Sequence, residues 1–129
     1  VQDVLKREAR RDLAAASERA ASALGGGIAR IAIRDQVSRW GSCSATGVLS
    51  YSWRLILAPS VVLDYLACHE VAHLIEMNHS RRFWRLVERI CPDFSAAKHW
   101  LDENGSDLHR YGAVRGQADG GRATAGTVD

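Results

Sequence analysis

His69 and His73 enclose a carboxylate in the run His69-Glu70-Val71-Ala72-His73. On a helix, residues four apart stand one above the other, so both imidazoles can reach one ion about 2 Å away. Glu70 lies one step round from His69, off the imidazole axis. From there it can point at a water in an open coordination position and take its proton. Zinc lowers the pKa of such a water to about 7, and the carboxylate completes a hydroxide generator. The H-E-x-x-H pattern thus implies hydrolysis at one zinc ion, with His69 and His73 as ligands and Glu70 as general base.

A tetrahedral catalytic site wants a third protein ligand and one open position. His79 lies six residues beyond His73, where the helix is expected to end. Asn78 tolerates left-handed geometry and can turn the chain there, folding His79 back to the ion while Ser80 caps the next helix. Glu76 shares the stripe and is the rival ligand; a salt bridge to Arg81 or Arg82, or a bond to a ligand imidazole, is its other use. His99 and His109 are assigned to helix packing and the tail, and Cys68 to the core. The bland alternatives are structural histidines without metal and, for His79, a surface turn. The spacing H-E-x-x-H-x-x-x-x-x-H is shared with the metzincins, but Glu76 stands where those enzymes have a glycine. Met77, the only methionine, lies inside the motif.

The motif needs a rigid carrier. Twelve of the seventeen residues from Val61 to Met77 are apolar, which predicts a buried helix opened by Pro59-Ser60, with Ser60 as N-cap. Its two imidazoles and two carboxylates fall on one side, and buried polar groups demand partners. Upstream, Val4, Leu5, Ala9, Leu13, Ala16, Ala20 and Leu24 have helical spacing, ended by Gly25-Gly26-Gly27. Period two then takes over. Ile31 and Ile33 mark one strand, Val37 to Cys43 a second, and Leu49, Tyr51, Trp53, Leu55 and Leu57 a third after the Ser44-to-Gly47 turn. Together these predict a small three-stranded antiparallel sheet. Supporting helices follow from Ser80 to before Pro92 and from Asp93 to Gly105.

The chain of 129 residues carries 47% hydrophobic and 25% charged residues, enough for one folded domain. Residues 1–111 are expected to form it and 112–129, Gly/Ala-rich and aperiodic, to be a disordered tail. A formal net charge of +2 with no interleaved basic-aromatic pattern argues against nucleic acid as a partner. No apolar run is long enough for a bilayer. Three cysteines without a C-x-x-C pair read as reduced thiols, hence a cytoplasmic protein. The chain opens on Val1, not methionine, as a fragment of a longer product would.

Arg39-Trp40-Gly41-Ser42-Cys43, then Trp53, Leu55, Pro59, Asp64-Tyr65, the HEVAH stretch, Asn78-His79-Ser80 and Phe83-Trp84 resemble, in order and spacing, the YgjP-like family of predicted metal-dependent hydrolases. That family is related to the SprT-like zincins. The resemblance covers roughly Leu5 to Gly105. It implies an α+β, minimal zincin-like fold: an N-terminal helix, a three-stranded antiparallel sheet, the metal-binding helix and supporting helices. It also implies His69, His73 and His79 as zinc ligands and Glu70 as catalytic acid/base. Members usually carry further N-terminal sequence, mostly β-structure.

Substrate is left between two classes. A metallopeptidase would attack a peptide or protein; members of the family have also been assigned a nucleoside-triphosphate pyrophosphatase activity, notably on UTP. The Arg39-to-Cys43 strand bears on both. Its backbone can pair with an extended peptide, with Arg39 and Ser42 as substrate-binding residues. Arg39 can equally hold a phosphate or carboxylate as a bidentate donor. In the alternative, Trp40 is core, Gly41 a bulge and Arg39 solvated. No glycine-rich phosphate loop is present. A third reading is a non-catalytic metal-stabilised binding module acting through Arg81-Arg82; an intact Glu70 argues against it.

Overall fold

The computed structural model describes residues 2–35, 39–110 and 127–128. The N-terminal helix α1 (Gln2–Leu24) buries Ala9, Leu13, Ala16, Ala20 and Ala21, a face made mostly of alanine. Small side chains let its backbone lie close against the metal-motif helix. It stops as expected: Gly25 takes φ +78°, and the amides of Gly25 and Gly26 both close on the Ala21 carbonyl.

Strands β1 (Arg30–Arg34), β2 (Arg39–Cys43) and β3 (Val48–Ser52) follow. The turn between β2 and β3 holds Gly47 at φ +88° and hydrogen-bonds Gly47 N–H to the Ser44 carbonyl. The expected antiparallel sheet is corrected to a mixed one. β3 sits between β2 and β1, pairing antiparallel with β2 and parallel with β1. The strands still alternate in direction along the chain. Because β3 inserts beside β1, two strands running the same way become neighbours. A fourth short strand, β4 (Thr127–Val128), pairs parallel to the outer edge of β2, opposite Arg39 and Gly41. Of the tail expected over 112–129, only these two residues are described; 111–126 and 129 lie outside the described residues.

The third strand is also shorter than its alternation predicts. After Ser52 the chain tightens into a 3-10 helix (Trp53–Leu57), because the Ser52 hydroxyl accepts from the Arg54 amide and caps the turn. Ser50, Ser52 and Arg54, placed by alternation on a polar face, are all buried together with Leu49, Tyr51, Trp53 and Leu55. β3 is central and covered on both sides. Arg54 is kept inside by Asp35, which also accepts from Trp53 Nε1.

Helix α2 (Ser60–Ala72) is buried from Val62 almost without interruption and lies between α1 and the later helices. Pro59, not Ser60, is its N-cap, with no side-chain cap bond. It also ends one turn before Met77. Leu74 and Ile75 bond to carbonyls three residues back, which tightens the end into a turn. Ser80 caps α3 (Arg81–Ile90), accepting from the Phe83 amide at 3.3 Å. Helix α4 (Phe94–Arg110) runs through Gly105, which was expected to end it. Ala97, Leu101 and Gly105 repeat every four residues on its buried side, so a glycine there serves close packing. Among the described residues no helix is long and apolar enough to cross a membrane.

Candidate metal centre

Four candidate side chains come from the last turn of α2 and the chain just beyond it. His69 and Glu70 lie inside the helix and His73 is its C-cap; all three are buried. His79 is exposed and stands one residue before the Ser80 cap. One ligand nitrogen from each of His69, His73 and His79 lies within 4.8 Å of the others. The turn that delivers His79 differs from expectation. Among the described residues no non-glycine has positive φ, so Asn78 is not a left-handed pivot. Because α2 unwinds early, the reversal is spread over several ordinary residues.

Two contacts decide which nitrogen each buried imidazole presents. His73 Nδ1 donates to the Glu76 carbonyl at 3.1 Å, leaving the Nε2 lone pair facing inward. His69 Nδ1 lies 3.2 Å from the Tyr65 hydroxyl, one helical turn back. His73 Nε2 and His79 Nε2 approach to 3.1 Å. Two imidazole nitrogens face each other stably only across a shared proton or a cation. Ligand arms of about 2.0–2.1 Å in a tetrahedron put neighbouring nitrogens about 3.3–3.4 Å apart, close to the spacing found. The donor set, the close His73–His79 pair and the held Nδ1 atoms of His69 and His73 therefore fit a divalent metal ion.

Aromatic rings from α3 close the back of the cluster. Phe83 lies 4.9 Å from the His69 ring centre, 4.5 Å from His73 and 4.9 Å from His79. Trp84 touches the rings of His69 and His79 and stacks on Phe94. An apolar wall here holds the imidazoles in place and lowers the local dielectric, strengthening any charge interaction within.

The Glu76 side chain, the rival ligand, turns instead to Arg82 at 3.6 Å. His99 pairs with Glu103 on the exposed side of α4. Cys68 packs near the Ile90 carbonyl, in the core. Arg39 is exposed at the start of β2, and Trp40 is buried. Gly41 faces Glu70, so strand alternation puts Ser42, opposite Ser50 of β3, on the other side of the sheet. Tyr65 and Gly41 stood in the motifs that carry the resemblance, with Gly41 also read as a bulge, but neither was assigned to the site. Tyr65 had a further signal, since it precedes His69 by one helical turn; the Gly41 contact with Glu70 became visible only where the sheet meets the helix.

Three comparisons bear on this arrangement. Residues 1–104 match the family described as YgjP-like, metallopeptidase domain. The crystal structure of the metallopeptidase zymogen of Pyrococcus abyssi abylysin is similar, with a TM-score of 0.63 and 26% identity. The match covers 74% of this chain and 94% of that one. No curated protein sequence matches.

Proposed function

The chain belongs to the YgjP-like metallopeptidase family, and on that premise we propose that it is a zinc-dependent peptidase of the cytoplasm. In this reading His69, His73 and His79 hold the ion and Glu70 is the general base. The observation that carries it is the convergence of three imidazole nitrogens within 4.8 Å beside a fully buried glutamate. Bound zinc would supply a Lewis acid that acidifies water and polarises a carbonyl. Tyr65 and the Glu76 carbonyl fix the imidazoles so that their Nε2 atoms converge. Glu70 takes a proton at its carboxylate and returns it to the departing amide nitrogen. Phe83 and Trp84 keep bulk water from the back of the site.

The substrate in this reading is an extended peptide added to the edge of β2, with Arg39 as a contact residue and Ser42 meeting the peptide only from the sheet face opposite Glu70. That this edge accepts an extended segment is supported by Thr127–Val128, which pair along it. The three cysteines are free thiols, in keeping with a reducing compartment.

The zinc-loaded protein should cleave unfolded casein, and chelator should abolish cleavage. Glu70→Gln should keep stoichiometric zinc while turnover falls by about 10²–10⁴-fold. Zinc loss in this variant would overturn the role of Glu70. Chelator-sensitive hydrolysis of UTP with casein untouched would replace the peptidase reading, and undiminished turnover in Glu70→Gln would remove the base.

A further inference from the structure

Gly41 lies in β2 directly over the end of the Glu70 side chain. A Cβ placed on it would stand 3.0 Å from Glu70 Oε2, 3.2 Å from Glu70 Cγ and 3.3 Å from the Ser50 carbonyl oxygen. Ordinary van der Waals contacts of such an atom begin at 3.4 Å. Gly41 is not among the glycines with positive φ, so its backbone suits any residue. What the position needs is the missing side chain.

Each neighbour has a different freedom to move. The Ser50 carbonyl belongs to the central strand and is fixed by the register Gly41 opposite Tyr51 and Ser42 opposite Ser50. The Glu70 backbone is fixed in a buried turn of α2. Only the Glu70 side chain can yield, by a few tenths of an ångström, and it is fully buried, so even that shift must be taken up against packed neighbours.

We propose that Gly41 is a positioning residue for Glu70: the bare backbone of β2 forms the seat in which the carboxylate rests. The outer edge of the same residue is where the added segment pairs, Gly41 opposite Val128. One glycine therefore sets the distance between the strand that receives substrate and the group that moves the proton. This assignment rests on Glu70 as the base; a misplacement of about 1 Å at such a group can cost about a hundredfold, and the few tenths required here a smaller part of that.

The test is a double-mutant cycle on the zinc-loaded full chain, with casein as substrate. Gly41→Ala should lower kcat at least about tenfold, with KM within about twofold and zinc stoichiometry unchanged. In a Glu70→Gln background, Gly41→Ala should cost nothing further, because the two act as one unit. Melting temperature supplies a readout independent of activity. Gly41→Ala should lower it in the native chain and lower it much less in a Glu70→Ala background, where the added methyl has room. If Gly41→Ala alone fails to fold, recovery of folding in Gly41→Ala/Glu70→Ala supports the proposal and failure to recover overturns it. An unchanged kcat in Gly41→Ala beside an inactive Glu70→Gln overturns it while leaving the base intact. If Glu70→Gln stays active, the base reading fails instead. The melting cycle then still decides, and additive melting shifts overturn the seat.

Discussion

Tyr65 and the Glu76 carbonyl would act on a bound ion through the far sides of the His69 and His73 rings. A hydrogen bond at Nδ1 selects the tautomer and stops the ring from turning, and losing one typically weakens metal binding about 10–100-fold. Tyr65→Phe removes the hydroxyl 3.2 Å from His69 Nδ1 while keeping the ring. Zinc affinity should therefore fall within that range, measured by competition with a chelating dye; an unchanged affinity would show that Phe83 and Trp84 alone hold His69. Glu76→Ala keeps the carbonyl that receives His73 and loses only the side chain directed at Arg82. It should weaken zinc binding modestly, whereas His79→Ala removes a donor and should weaken it severely. The reverse ranking would count against His79 as the third ligand. Much at this scale was legible: spacing nominated His69, Glu70 and His73, and His79 was added, with Glu76 as rival, from its separation and the expected turn before Ser80. Tyr65 obeys the same four-residue rule but is one more apolar residue in a buried run. The Glu76 carbonyl was not legible, because a main-chain acceptor leaves no mark on residue type.

The elements around the cluster explain why its third member is held at all. His79 is exposed, and the chain reaches it through a turn made where α2 tightens after Ala72. What anchors the far end is the Ser80 cap of α3, the helix that also carries Phe83 and Trp84. Ser80→Ala should cost about 1 kcal/mol of stability. It should also weaken zinc binding, since the residue beside His79 loses its tether. Retained affinity with lowered melting temperature would separate the cap from the site. Ser80 and Pro92 announced α3 in the sequence through capping and helix-breaking chemistry. The sheet was less legible for a reason of scale. Alternation tells which residues form a strand, not which strand lies beside it, so the insertion of β3 next to β1 was invisible. The 3-10 helix was hidden because Trp53 and Leu55 are buried in it much as they would be in a strand.

At the scale of the whole molecule, a buried charge ties the end of β1 to the 3-10 helix. Arg54 is 2% exposed and lies over Trp53, and Asp35, at the end of β1, binds both. Burial raises the Asp35 carboxyl. Hydrogen bonds from Trp53 and Arg54, with the guanidinium charge, outweigh that and hold it below its ordinary 3.8. A carboxyl depressed by folding stabilises the fold fully above its unfolded value, and this contribution is lost as pH falls through the folded value. The loss therefore belongs below about pH 4. Because Asp35 is 49% exposed, solvent screens the pair, and the contribution is about 1–2 kcal/mol. Asp35→Asn should lower the melting temperature at neutral pH and flatten its fall between about pH 4 and pH 2.5. The scan should be run with chelator throughout. Loss of any bound metal would otherwise overlay the carboxylate's step. Curves for Asp35→Asn and the native chain that stay parallel down to the acid limit would show that Asp35 does not carry this charge.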